Sequence, residues 1–549
     1  MSSSQRIEPL SHLSQASTIS FIKMISIRLA AFVILLFSSF SHASNCSSIS
    51  GIVVPGAEVL SIAGIQRNNV SVAATTANPT VSGLNICDVT LVLTHPGAND
   101  TVTVEIWLPT SGWNGRFQGT GGGGFSAGLG PTGLAPAVAA GYSAGATDGG
   151  NFGSGFYINP GALVDGHVNS PLLLDYASRS VHDMAVVGKA VTAKYYGQDA
   201  KFSYFTGCSN GGREGYVEAQ MYPDDFDGIL AASPTINGPP MIVSMQWNYV
   251  VMQQERKAPS QCVFQTFINA SIALCDGFDG VEDGIISNLQ ECHFDPYSLV
   301  GKQVACDGTI VTIDNTTASI VQKIHDGPTT PDGRRLWYGL NTGTGFNGIY
   351  SSVINVVTTN GTTVATPELL SDQFIKYMLK EDPNYDTSNI SYSQFASLFF
   401  QAVFEYTPLL GGNNPDLSAF HNAGGKLLSW HGLADSLVFP NGTINYRERV
   451  DEVLGGTDRV DEFYALYMAP GIGHCGGGYG PLPTNALEQL VAWVENGTAP
   501  NTLAAQYVDT DGDVVNHDLC KYPLVSKFLG GDPKAAGSYV CAESFGPAT

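Results

Sequence analysis

Gly207-Cys208-Ser209-Asn210-Gly211 and Gly473-His474-Cys475 stand far apart in this 549-residue chain, and each bonds a cysteine directly to a residue able to do chemistry. A disulfide between Cys208 and Cys475 would draw Ser209 and His474 into one small volume. Any fold that keeps the two segments apart is incompatible with it. A serine hydroxyl attacks a carbonyl only when a neighbouring base takes its proton, and such a crosslink would fix the pairing covalently.

The serine lies in a G-x-S-x-G pattern, which carries weight only in a strand–turn–helix setting. Lys201 to Thr206 is a short β-prone run, and Gly212 to Tyr222 can be helical up to the stop at Pro223. Small residues on both sides of Ser209 permit a strained turn that bulkier neighbours would block. In this fold class the acid falls between serine and histidine in chain order. Gly425 to Gly432 reads as a buried strand, and Asp435 follows at its carboxyl end. There it would hold the imidazole tautomer and stabilise the imidazolium. His474 follows the strand-like run Phe463 to Met468 and the turn Pro470-Gly471. Ser209, Asp435 and His474 are therefore the candidate catalytic residues. Upstream, Arg116 to Phe125 reads as a strand opening into the run Gly121 to Gly124. The backbone N–H groups of Gly122 and Gly123, with that of Asn210, are the candidate donors to an oxyanion; a flexible surface loop is the alternative.

Strand–helix–strand alternation through the first part of the chain predicts an α/β fold. Residues 172–196 carry an apolar stripe at helical spacing, with His182 beside it as a structural histidine. Beyond Asp227 the periodicity changes to short mixed segments and many turn residues. The organisation expected is an α/β-hydrolase core over 44–227 and 420–549, interrupted by a large lid domain over 228–419.

Composition narrows the partners. Apolar residues make up 43% of the chain and charged residues 13%, with a net charge of −23. That describes a globular protein and argues against nucleic acid and anionic membranes as partners. Residues 1–43 resemble a signal peptide. Arg28 is the basic element, Leu29 to Phe40 an apolar run too short to span a membrane, and Ser41-His42-Ala43 a cleavage site, with Met24 as a possible true start. Sequons at Asn69, Asn99, Asn269, Asn315, Asn360, Asn389, Asn441 and Asn496 fit a secreted glycoprotein. Ten cysteines in such a chain imply disulfides. Their placement suggests Cys46–Cys87, Cys208–Cys475, Cys275–Cys292 and Cys520–Cys541, leaving Cys262 and Cys306. Cys275 to Ile285 is an acidic, glycine-punctuated loop that suits either a hard cation bound by oxygens or a solvated turn. Asp509 to Asp513 reads as a plain acidic loop.

Together Gly207 to Gly212, Gly432-Leu433-Ala434-Asp435, Pro470 to Gly478 and the loop Cys275 to Ile285 resemble the tannase/feruloyl esterase family of secreted ester hydrolases. The resemblance implies an α/β-hydrolase core under a lid, with Ser209 as nucleophile, Asp435 as orienting acid and His474 as base. It also implies a structural calcium in the lid, held by Asp276, Asp279, Asp283 and the carbonyls of Val281 and Ile285. Asp326 to Leu340, and Trp430-His431-Gly432 followed by Pro440 to Thr443, resemble tannase-type members. The expected substrates are small or polymer-linked phenolic esters, galloyl esters first and feruloyl esters as the alternative. A non-catalytic binding protein on a hydrolase scaffold is the rival from another class.

Overall fold

Alternation of buried and part-exposed residues builds one edge of the central sheet. In the computed structural model, which describes residues 45–75, 78–306, 308–345 and 352–544, strands β1 (Glu58–Val72), β2 (Val81–Thr94) and β3 (Val102–Pro109) pair antiparallel. Val89, Leu91 and Leu93 of β2 are buried, and the residues between them are half-exposed, the period-two pattern of a sheet with one covered face. The expected signal peptide over 1–43 lies outside the described residues.

Six further strands run parallel: β4 (Arg116–Thr120), β5 (Ser143–Thr147), β6 (Phe202–Cys208), β7 (Gly228–Ala232), β8 (Lys426–Gly432) and β9 (Tyr464–Ala469). Among the described residues the sheet order is β1-β2-β3-β5-β4-β6-β7-β8-β9. The parallel strands are short and apolar because helices cover both faces. Phe205, Leu427 and Leu466 pack under helices Ser180–Tyr196, Asn210–Met221 and Pro440–Leu454. Their neighbours Tyr204, Leu428 and Tyr467 face helices Pro131–Ala139 and Ala486–Asn496. This is an α/β-hydrolase-like fold, in which sites form at the carboxyl ends of the parallel strands.

The segment between β7 and β8 carries its own helices, among them Gly238–Ser244, Gln261–Cys275, Asn315–Asp326 and Tyr392–Leu410. Apart from a small cluster of Cys275, Ile286 and Cys292, its apolar residues share a core with the rest of the chain. Met241, Met245, Phe374 and Phe395 join Phe125, Phe152 and Tyr176 from the first half, and Leu437 to Phe439 from beyond β8. The boundary expected at residue 228 is corrected: Gly228–Ala232 is a central strand paired with β6 and β8, and so belongs to the sheet. The helix expected over 172–196 is also interrupted, with a π-helical turn at Asp175–Arg179.

All ten cysteines are paired, as Cys46–Cys87, Cys208–Cys475, Cys262–Cys306, Cys275–Cys292 and Cys520–Cys541. Among the described residues no helix is long and apolar enough to cross a membrane.

Candidate active site

Strand β6 ends at Cys208 and helix Asn210–Met221 starts two residues later, so Ser209 must turn the chain by itself. It does so with φ 63° and ψ −121°, a conformation an L-residue holds only when its surroundings enforce it. The Ser209 N–H donates to Ala232 O at 3.0 Å, and Ser209 O accepts from the N–H groups of Arg213 and Thr235 at 3.0 and 3.1 Å. The glycines make the turn possible. A Cβ on Gly207 would sit 2.4 Å from Gly211 O, and one on Gly212 would sit 2.5 Å from Ala232 O.

Asp435 follows β8 in a tight turn and is 1% exposed. Its Oδ1 accepts the backbone N–H groups of Leu437 and Val438 at 2.9 and 2.8 Å. Its Oδ2 lies 2.8 Å from His474 Nδ1. Burial alone would push this carboxyl up, but the His474 and His431 imidazoles beside it hold it well below the ordinary carboxylate range. An ionised Asp435 therefore fixes His474 with a proton on Nδ1 and leaves Nε2 as the basic nitrogen. The disulfide then ties the two halves, with the Cα atoms of Cys208 and Cys475 5.9 Å apart. Ser209 and His474 line one cavity of ≈ 490 Å³ together with both cysteines and Gly121 to Gly124. The three candidate catalytic residues expected from the sequence are thus brought together.

The expected oxyanion donors need correction. The Gly122 N–H donates to Glu214 Oε2 at 2.9 Å, and the Gly123 N–H to Ser126 O at 3.0 Å, so both are already engaged. In the glycine run it is Gly124 that lines the space beside Ser209 on both sides, as a neighbour of Asn210.

Sequence reasoning also missed His431. It is fully buried on β8; its Nε2 lies 3.1 Å from Asp435 Oδ2 and its Nδ1 2.8 Å from Thr443 Oγ1. A histidine at a central position of an otherwise apolar strand was the available signal. His182 does play the structural part expected of it, with Nδ1 2.5 Å from Asp225 and its ring stacked on Tyr222.

The acidic loop does not line the cavity of Ser209 and His474, but its Gly284 and Ile285 line another together with Ala434, Ser436 and Gly473. Asp276 accepts the N–H groups of Asp283, Gly284 and Ile285 at 2.9–3.2 Å, and Asp283 Oδ2 accepts the Tyr507 hydroxyl at 2.9 Å. Asp279 is 2% exposed and its Oδ2 has no hydrogen-bond partner. Burial and the neighbouring acids push Asp279 up to about 6 and Asp283 to about 7. Among the described residues a tighter cluster is formed by His95, Asp100 and Asp175, but Arg179 already bridges its two acids at 2.7 and 2.6 Å.

A strained serine at a strand–helix turn, an acid–histidine pair over the next strands and this sheet order define an α/β-hydrolase site equipped for acyl transfer. Comparison with known proteins narrows the class. The family described as tannase and feruloyl esterase matches residues 87–542, and the chain belongs to it. It is a carboxylic ester hydrolase. A probable feruloyl esterase of Arthroderma benhamiae is 45% identical, covering 95% of this chain and 99% of its own. Among solved structures, a tannin acyl hydrolase from Aspergillus niger aligns with TM-score 0.79 at 26% identity, covering 91% of this chain and 93% of its own. Feruloyl esterase B from Aspergillus oryzae aligns with TM-score 0.74 at 25% identity, covering 89% and 98%.

Proposed function

We propose that the chain is a secreted esterase that cleaves phenolic acid esters through an acyl-enzyme on Ser209. His474 Nε2 takes the Ser209 proton as the hydroxyl attacks the ester carbonyl, and Asp435 stabilises the imidazolium that forms. The tetrahedral oxyanion is held by the N–H groups of Asn210 and Gly124, the amides left over once those of Gly122 and Gly123 are engaged. His474 then protonates the leaving alcohol, and water repeats the sequence to release the acid.

One observation supports a hydroxycinnamoyl acyl group over a galloyl one. Beside Ser209 lies a narrow compartment of ≈ 30 Å³, lined by Phe125, Phe152, Met241, Met245, Phe374 and Leu437, among others. Methionines are flexible enough to make way for a flat ring. The polar groups there are committed elsewhere: all the bonded nitrogens of Arg213 serve Asn210, Ala177 O and Tyr176 O. A galloyl ring would bury three hydroxyls among these side chains, at roughly 1–3 kcal/mol for each left unpaired. A feruloyl ring carries one hydroxyl and an apolar vinyl arm. The second reading, a galloyl esterase, draws on the TM-score of 0.79 to the tannin acyl hydrolase. Rates on methyl ferulate and methyl gallate separate them. The expected result is a kcat/KM at least ~10-fold higher for ferulate; a preference for gallate would overturn the assignment.

The insertion between β7 and β8 serves as a lid, since it supplies Met241, Met245 and Phe374 to the compartment beside the nucleophile. Within it, Asp276, Asp279 and Asp283 with the carbonyls of Val281 and Ile285 would hold calcium. The buried, unpartnered oxygen of Asp279 among like charges fits a hard cation. Bound there, calcium supplies fold stability and no part of the reaction. Chelation should lower Tm by ~5 °C, restored by calcium and not by magnesium. A Tm indifferent to chelator would remove the ion from the account.

Export is supported by the full pairing of the cysteines. Seven of the sequons, at Asn69, Asn99, Asn269, Asn315, Asn360, Asn389 and Asn496, are exposed, while Asn441 is half-buried and donates to Asn341 Oδ1 at 3.0 Å.

A further inference from the structure

We propose that Glu214 and Tyr176 are positioning residues that clamp the two walls of the oxyanion pocket at a fixed separation, and so govern the rate of acyl transfer. The proposal rests on Ser209 as nucleophile and on oxyanion donors from Asn210 and the glycine loop. One wall is Asn210, the first residue of the helix after the serine; the other is the loop Gly122 to Gly124. They belong to different elements, and each of two buried side chains touches both.

The Glu214 carboxyl is 1% exposed. It accepts the Gly122 N–H at 2.9 Å and the Asn210 Nδ2–H at 2.7 Å, one on each oxygen. The Tyr176 hydroxyl lies 2.9 Å from Gly124 O and 3.1 Å from Asn210 Oδ1. The remaining capacity of the Asn210 amide goes to Arg213 Nε at 2.8 Å and Ser126 O at 3.1 Å, so its orientation is fully determined. Tyr176 stands in the π-helical turn Asp175–Arg179. Such a turn re-aims a side chain that a regular helix would point elsewhere. The approach is close: a Cβ on Gly121 would meet Gly211 Cα at 2.6 Å and Glu214 Oε2 at 2.9 Å.

Two partners that both donate require a group that accepts twice. A carboxyl oxygen pair does this; a glutamine would turn its own N–H groups against one of the donors. Burial pushes the Glu214 carboxyl up, while Arg213 and the two donors favour its ionised, doubly accepting form and pull it back. Oxyanion donors act only within a few tenths of an ångström of where charge develops. A clamp that relaxes would cost turnover while leaving ground-state binding, which is dominated by the apolar compartment, nearly intact.

The test compares Glu214→Gln, Tyr176→Phe, Ser209→Ala and wild type for kcat and KM on methyl ferulate, for Tm, and for the rate at which a fluorophosphonate labels Ser209. Glu214→Gln is expected to lose ~100-fold in kcat with KM within ~3-fold, and Tyr176→Phe ~10-fold. Fluorophosphonate labelling should slow in parallel, because its phosphoryl oxygen uses the same donors. If Glu214→Gln does not fold, Tyr176→Phe decides alone, since it removes one hydroxyl and keeps the ring. Folded variants that keep wild-type kcat, or lose only in KM, overturn the clamp. An inactive Ser209→Ala beside such variants would leave the nucleophile assignment standing and sink only this proposal. An active Ser209→Ala would sink both.

Discussion

Replacing Ser209 by alanine is expected to lower kcat on methyl ferulate by on the order of 10⁵-fold or more, with Tm almost unchanged. The size follows from the chemistry: without the hydroxyl there is no acyl-enzyme, and only the oxyanion donors and binding remain to assist water. The near-neutral stability follows from the structure. Ser209 holds its strained backbone through bonds made by its N–H and C=O groups, to Ala232, Arg213 and Thr235. Alanine keeps all of these. The measurement is steady-state kinetics beside a melting curve. Turnover retained within tenfold would mean that another group is the nucleophile.

Asp435→Asn is expected to cost about 10⁴-fold in kcat while the chain still folds. The carboxyl accepts on both oxygens: two backbone N–H groups on Oδ1, and the imidazoles of His474 and His431 on Oδ2. Four facing donors leave an amide no harmless orientation. With its oxygen toward Leu437 and Val438, its NH₂ meets His474 Nδ1 and drives the imidazole to the tautomer with its proton on Nε2, where the base is needed. With its oxygen toward the histidines, its NH₂ faces two backbone donors. The first arrangement keeps the turn and loses the base. A pH–rate profile for Asp435→Asn should therefore stay low throughout, and recovery of wild-type kcat at high pH would contradict the assigned role of the acid.

The constellation was legible in the sequence because its members announce themselves locally. Ser209 sits between small residues at a strand–helix junction, Asp435 just past an apolar strand, and His474 beside a cysteine whose partner flanks the serine. What escaped was set by three-dimensional accounting. A run of four glycines has no side chains to fix its register, and only the bond from Gly122 to Glu214, ninety-two residues away, reveals which amides remain for a ligand. His431 reaches Asp435 across a turn, not along a helix face, so their spacing of four carried no signal. The strand Gly228–Ala232 is not legible as part of the core because five apolar or small residues have no periodicity of their own; its place in the sheet comes from its neighbours β6 and β8.

The central claim is that a phenolic acyl group passes through Ser209. Its most direct test is to quench the wild-type enzyme during turnover of methyl ferulate and map the adduct by peptide mass spectrometry. A feruloyl ester on Ser209, absent from Ser209→Ala, is the predicted result. Turnover with no adduct on Ser209, or with the acyl group on another residue, would contradict it.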